Sequence, residues 1–498
     1  MSFEPADARS PFPNSLICNT PKRSTEPPFL GGKKISGALG SDVREWLVNV
    51  IARGRTGNGD QVAYFFLRAQ TLLSARGTLG LIATNTVAQG DTREVGLDQM
   101  VSSGFTITRA IQSRTWPIAS ANLEFAAVWG TVARLADGVP CISDDAPVER
   151  ISTLLESSGR IRGNPIRLAA NADVVFQGCV LAGMGFILDP TEAQEWITED
   201  QRNKQVLFPY LGGEDVNQRP DCSASRWVID FNAASLDAAA QFRLPFERLE
   251  KLVYPERQKV NRKAHRERWW QFGDKRPALR MAVSTLDEVL VITFVSKTVM
   301  PARVPTGQVF SHALGVVTTD AYDDQAVLSS SAHQLWAITY GSTMRTDVRY
   351  TPSDVFETFP RPTGTESLAD LGRALDVDRR EIMIRRGIGL TDLYNLVNDP
   401  QITEDSDPDV ARIRAIHVEL DQSVIDAYGW SDIPLDHGFH TYRQMQRWTV
   451  SPAARVEILD RLLEENHRRA AEEAKRTPQS RSKGRRGKSA PDDQGTLL

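Results

Sequence analysis

The 498-residue chain has only four cysteines, Cys18, Cys141, Cys179 and Cys222, far apart and in no CxxC pair. That spacing argues against a zinc site or a disulfide framework and for a reducing cytoplasm as the setting. Long apolar runs are missing too: none approaches the roughly 20 residues that a membrane span needs. The opening residues MSFEPADARSPFPNS lack the basic-then-apolar layout of a secretory leader. The seven histidines keep no metal-ligand spacing. Their one close pair, His437 and His440 in DHGFH, reads as loop-stabilising. No nucleophile elbow accompanies a Ser-His-Asp set, no carboxylate–lysine cluster marks a nuclease, and no repeat of fixed period is visible. Glycine is absent altogether from residues 1–25.

What is present is an ordinary globular composition, with 41% hydrophobic and 24% charged residues and a formal net charge of −4. The length suggests two to four domains. Residues 1–25, rich in Pro, Ser and Asn, read as a leader outside the fold. From about 35 to 135 the pattern is α/β. Asp60 can cap a helix whose apolar positions Val62, Phe65, Phe66, Ala69, Leu72 and Leu73 form one broad face, with Gly77 ending it. LGLIAT (79–84) is apolar on both faces, which predicts a central parallel strand. A helix over about 93–103 closes at Gly104, and FTITRAI (105–111) and LEFAAVW (123–129) predict further strands. This order is that of part of a doubly wound, Rossmann-like sheet. From about 140 to 360, short mixed segments predict a separate α+β domain. Residues 366–474 read as helical, in LADLGRALDVDRREIMIRR, DVARIRAIHVELDQSVIDAYGW and ARVEILDRLLEENHRRAAEEAKR. Residues 475–498 read as a disordered basic tail, with seven basic residues and no acid from Lys475 to Lys488.

The stretch STEPPFLGGKK (24–34) carries the chemistry. Two prolines hold the backbone extended and leave a carbonyl unpaired, and Phe29 offers a flat stacking face. A base flipped out of DNA needs an acceptor for its exocyclic amino group and a π-face; Pro-Pro before an aromatic is also a plain rigid turn. The loop stands ahead of the Asp60 helix, of the strand ending in Thr84-Asn85, and of SRTWPIASANLEFAAVWG. In these residues and this order the chain resembles the adenine-N6 DNA methyltransferases with a fused target-recognition domain. Pro27, Pro28 and Phe29 match that family's Asn-Pro-Pro-Phe/Tyr tetrad, Asp60 its helix start and Thr84-Asn85 its strand end. FPYLGGEDVNQRP (208–220), RERWWQFGDKRPALR (266–280), DVFETFPRP (354–362) and HVELDQSVIDAYGW (417–430) are similar to later blocks.

The resemblance implies methyl transfer from S-adenosyl-L-methionine to a flipped adenine of double-stranded DNA, in a DNA modification or restriction–modification system. It makes Glu26, Pro27, Pro28 and Phe29 the catalytic loop. Glu26 replaces the family's Asn, and an angstrom-scale displacement of such a group costs about 100-fold in rate. The implied domains are the C-terminal part of a catalytic domain (26–138), a target-recognition domain (139–365) and a helical region (366–474). Such enzymes hold their cofactor on a Gly-rich turn after the first strand. GGKKISGALG (31–40) and GRTGNGD (54–60) follow no predicted strand and read as loops, and GRRGKS (484–489) has the wrong spacing for a phosphate loop. The expectation is an N-terminally truncated enzyme with unknown cofactor-binding residues, a separate chain being one source of the missing half. The alternative is a non-catalytic DNA-recognition module.

DNA contact is expected elsewhere. Lys251 to Arg280 holds ten Lys/Arg and three acids, a local charge of +7, with Tyr254, Trp269, Trp270 and Phe272 interleaved. Basic side chains attract phosphates through counterion release, while the aromatics either pack the module or stack on bases. The candidate contacts are Lys259, Arg262, Lys263, Arg266, Arg268, Lys275 and Arg276, with Lys297 and Arg303 around VSKTVMPARVP.

Overall fold

The computed structural model describes residues 30–115, 124–136, 138–157, 159–161, 163–344, 347–442 and 445–476. Two short helices, α1 (Gly32–Leu39) and α2 (Ser41–Trp46), lead to Asp60, whose carboxylate accepts the Val62 amide at 3.2 Å and caps α3 (Gln61–Thr71). Val62, Ala63, Tyr64, Phe66 and Leu67 are buried, whereas Phe65 and Leu72, expected on the same face, are exposed (38% and 71%). The helix stops at Thr71, and Gly77 closes a turn onto the Ser74 carbonyl (2.8 Å). The single helix expected over 93–103 is two, α4 (Gly90–Val95) and α5 (Leu97–Ser102), broken at Gly96 where the backbone abuts Ala63.

Five strands follow: β1 (Thr78–Thr84), β2 (Thr106–Thr115), β3 (Glu124–Thr131), β4 (Cys141–Ser143) and β5 (Ala146–Val148). They form one sheet in the order β1-β3-β2-β4-β5. The expectation of a central parallel LGLIAT strand is corrected here, because β1 is an edge strand paired antiparallel with β3. Only β2 and β4 run parallel. Leu79, Leu81 and Ala83 join the core built with α3 and α5, while Ile82, on the opposite face, is 45% exposed. The strand is apolar on both sides although one of them is open. On that open face Gly80 is obligatory: a Cβ there would lie 2.6 Å from Cδ1 of Trp129, its partner in register. Arg109, next in the row, lies over the same indole at 5.4 Å. Val148 ends the sheet, and Ile151 and Leu155 enter its core, so this unit runs past the boundary expected at 138.

The following region is α+β, with two four-stranded sheets. One takes Val309–Phe310, Leu207–Leu211, Arg226–Ile229 and Ile187–Leu188 in that order; the other takes Ala302–Pro305, Glu288–Thr293, Leu314–Val317 and Val175–Gln177. The second sheet shares one uninterrupted core with the C-terminal helices: Leu290 and Val316 belong to it together with Trp336, Leu375, Ile416 and Leu462. Those helices are Ser331–Tyr340, Ala369–Arg386, Pro408–Ala427 and Pro452–Arg476. The boundary expected at 365 is therefore no boundary of the core. Helix Tyr322–Ser329 packs tightly on Ala369–Arg386 at Gly372, where any Cβ would overlap the Tyr322 carbonyl oxygen. No described helix is long and apolar enough to cross a membrane.

A strap closes the assembly. Residues 160–161 and 163–170 run along the last helix: the Arg160 amide donates to Asp460 (2.9 Å) and the Ala169 amide to Glu473 (2.8 Å). Between them the fully buried Asn466 accepts from the Ile166 amide (2.8 Å) and donates to the Ile166 carbonyl (2.7 Å) and the Thr358 carbonyl (2.6 Å). Leaving a buried backbone group unsatisfied costs roughly 1–3 kcal/mol. Asn466→Ala orphans three such groups, and the expected outcome is a large fall in the denaturant midpoint; a midpoint unchanged from wild type would show that the strap is not fixed by this side chain.

Candidate nucleic-acid interface

Glu26, Pro27, Pro28 and Phe29 lie outside the described residues. Leu30, which follows them, packs on the first core, and its carbonyl accepts the Gln61 amide at 3.0 Å, beside the Asp60 cap. Burial pushes the Asp60 carboxyl above the usual carboxylate range. At the end of β1, Thr84 Oγ1 lies 2.7 Å from Thr86 Oγ1. Asn85 Nδ2 donates to Glu124 (2.9 Å) and Ser113 (3.3 Å), and Ser113 Oγ donates to the same Glu124 oxygen (2.7 Å). The carboxylate at the start of β3 thus anchors the strand end of β1 and the outer part of β2. Ser113 and Glu124 drew no attention in the sequence, since a polar residue near a strand end is unremarkable by itself.

Of the seven glycines of 31–40 and 54–60, three are taken up by packing: a Cβ at Gly32 would overlap the Asn58 carbonyl oxygen, and Gly57 and Gly59 lie against Asp91 and Val95; Gly31, Gly37, Gly40 and Gly54 have open space around them. Strand β1 runs into a 3-10 turn, Asn85–Ala88, that contains no glycine. No group of three or more His, Cys, Asp or Glu able to hold a metal occurs among the described residues. His437 Nε2 lies 2.8 Å from Asp421, which also accepts the Ser331 amide (2.6 Å), and His440 lies 3.2 Å from the Asp436 carbonyl; both are tied locally. An open cleft of about 1730 Å³ separates β2 and β4 from the last helix. Groups beside it are engaged nearby, Arg114 with Asp145 (2.7 Å) and Gln112 with the Leu154 carbonyl (2.9 Å).

The +7 segment separates into two kinds of cation. Lys259, Arg262, Lys263 and Arg268 are exposed on an elbow between Tyr254–Gln258 and Trp269, and Lys263 pairs with Glu267 at 3.5 Å. Three further candidates are structural clasps. Arg266 Nη1 donates to the Val260 and Asn261 carbonyls (2.8 Å each), Lys275 to Gln271 (2.9 Å), and Arg276 to Gln177 (2.6 Å) while pairing with Asp274 (3.1 Å). Of the two choices left open for the aromatics, packing is the one found: Trp269, Trp270 and Phe272 are core residues, and Trp270 Nε1 donates to the Ala234 carbonyl (2.9 Å). Lys297 is exposed. Arg303 is a correction. It is 3% exposed, donates to Gln325 (3.1 Å) and the Asp320 carbonyl (2.8 Å), and stacks 3.9 Å from the Tyr322 ring, so its guanidinium is consumed inside the fold.

Against known proteins, residues 167–363 match the family model described as "MmeI, target recognition domain", which embraces both four-stranded sheets and the elbow. The fold as a whole is similar to a solved structure, the type IIL restriction–modification enzyme MmeI in complex with DNA, at a TM-score of 0.66 and 18% identity. The match covers 90% of this chain and 57% of that one, so the chain spans little more than half the length of that enzyme. The type IIG restriction endonuclease BpuSI aligns over 78% of this chain and 52% of its own at 13% identity and a TM-score of 0.25, too low to carry an argument. No curated protein matches.

The two kinds of cation should respond differently to truncation. Arg303→Ala is expected to lower stability by roughly 1–3 kcal/mol, because Gln325 and the Asp320 carbonyl lose a buried partner. Arg262→Ala is expected to stay within about 0.5 kcal/mol of wild type. Urea unfolding of the two variants checks this, and equal effects would contradict the division.

Proposed function

We propose that this chain is the DNA-recognition part of a restriction–modification protein. Residues 167–363 read duplex DNA, and the elbow cations Lys259, Arg262, Lys263 and Arg268 hold its phosphates, with Lys297 as a further contact. The observation that carries this reading is the match of 167–363 to a target-recognition family, in the segment where the sequence concentrates its positive charge. Each phosphate that is no longer neutralised lowers the slope of log binding constant against log salt by roughly 0.9. The fourfold change Lys259→Ala, Arg262→Ala, Lys263→Ala and Arg268→Ala is therefore expected to weaken duplex binding and flatten that slope in gel-shift titrations. An unchanged slope would remove the elbow from the interface.

The first unit is, on this proposal, the C-terminal part of an adenine-N6 methyltransferase domain, with Glu26, Pro27, Pro28 and Phe29 gripping the flipped base. The half that holds S-adenosyl-L-methionine is supplied by other polypeptide, in one form a separate chain. Supporting this are Gly32, Gly57 and Gly59, occupied by packing, and the edge of β1, uncharged, free of proline and unpaired on its outer side among the described residues. Natural proteins seldom leave such an edge uncovered, and strand addition is the common way to use it. The chain alone is expected neither to bind S-adenosyl-L-methionine in calorimetry nor to transfer tritiated methyl groups to DNA. Methyl transfer by the chain alone would sink this part of the proposal and leave the recognition reading intact.

A further inference from the structure

Beneath the elbow lies a charge that nothing balances. Arg257 is 2% exposed, with its guanidinium 5.7 Å from the Phe186 ring. Nη2 donates to the Leu181 carbonyl (2.7 Å) and the Gln271 carbonyl (3.2 Å), but Nε and Nη1 have no hydrogen-bond partner. No carboxylate pairs with it among the described residues, and burial alone pulls its pKa down. His265, near the same segment, has a buried Nε2 that is also without a partner. Burial first, then the charges of Arg257 and Arg262, hold its pKa below the usual histidine value. Unpaired buried donors around a fixed charge are costly, and native folds keep few of them.

The elbow above this pair is tied almost wholly to itself. Its described side-chain bonds are Arg266 to the Val260 and Asn261 carbonyls (2.8 Å each), Gln258 to the Arg266 carbonyl (3.2 Å) and Lys263 to Glu267 (3.5 Å). Its described backbone bonds also close locally, from Lys259 to the Glu256 carbonyl (3.2 Å) at one end to Gln271 and the Arg268 carbonyl (3.1 Å) at the other. The exception is the bond between His265 and the Gly273 backbone. The elbow can therefore hinge as a unit at the loss of very few hydrogen bonds.

We propose that Arg257 is a latent phosphate ligand: when the elbow meets a DNA backbone it swings aside, and Arg257 bonds a phosphodiester through Nε and Nη1, donors that are idle in the free protein. This rests on the reading that 167–363 binds duplex DNA. It adds a contact that a search for exposed charge passes over.

The test uses the full chain carrying Arg257→Gln or Arg257→Lys, with folding checked by circular dichroism and duplex binding followed by fluorescence anisotropy across salt. Arg257→Gln is expected to lower the salt slope by about 0.9, the value of one phosphate, and Arg257→Lys to retain it. A folded Arg257→Gln protein with the wild-type slope overturns the proposal and leaves DNA recognition standing, whereas wild-type protein that binds no DNA defeats the reading beneath it. A rise in melting temperature with inorganic phosphate that Arg257→Gln abolishes, beside an unchanged DNA slope, assigns the seat to free phosphate and overturns the DNA role. Should Arg257→Gln not fold, hydrogen exchange on the wild type decides: the amides of 259–268 are expected to change protection on adding DNA, and unaltered exchange there overturns the hinge.

Discussion

The buried amide of Asn466 joins pieces of chain that lie 300 residues apart in sequence. It answers both backbone groups of Ile166 and the carbonyl of Thr358, and through them fixes the strap against the last helix. Helix α5 of the first unit meets the rest of the chain next to this strap, where Asn164 donates to Asp98 (2.6 Å) and His467 lies 2.9 Å from the Asn164 carbonyl. Buried backbone groups must find partners, and here one side chain serves three of them.

Much of the architecture was legible from periodicity, because local pattern reports local geometry. The long helices over 369–386, 408–427 and 452–476 lie where their apolar spacing put them. Pairing is a different matter. LGLIAT reads as central because both its faces are apolar, but hydropathy does not tell a covered face from an open one. Gly80, forced by Trp129, became interpretable only once their register was known.

The candidate interface divides in the same way. Composition revealed the +7 segment, since charge adds regardless of conformation. It offered no means of telling a guanidinium that reaches solvent from one that clasps the chain. Arg266, Arg276 and Arg303 are identical in type to Arg262 and Arg268, yet their donors end on carbonyls and amides within the fold. The indoles of Trp269 and Trp270 suit stacking and packing equally as far as sequence goes, and burial decided for packing. The Asn85–Ser113–Glu124 cluster spans three strands and exists only through the sheet that aligns them.

The core shared between the second sheet of the recognition region and the C-terminal helices sets how such a protein can diversify. Val289, Leu290, Val316 and Val317 are sealed into one interior with Ile413, Leu420 and Val424, so a segment cut at 363 and transplanted into a relative would carry half of a jigsaw whose other half stays behind. Solvent-facing positions in this architecture can therefore change one at a time, whereas any block that moves must take its helices along.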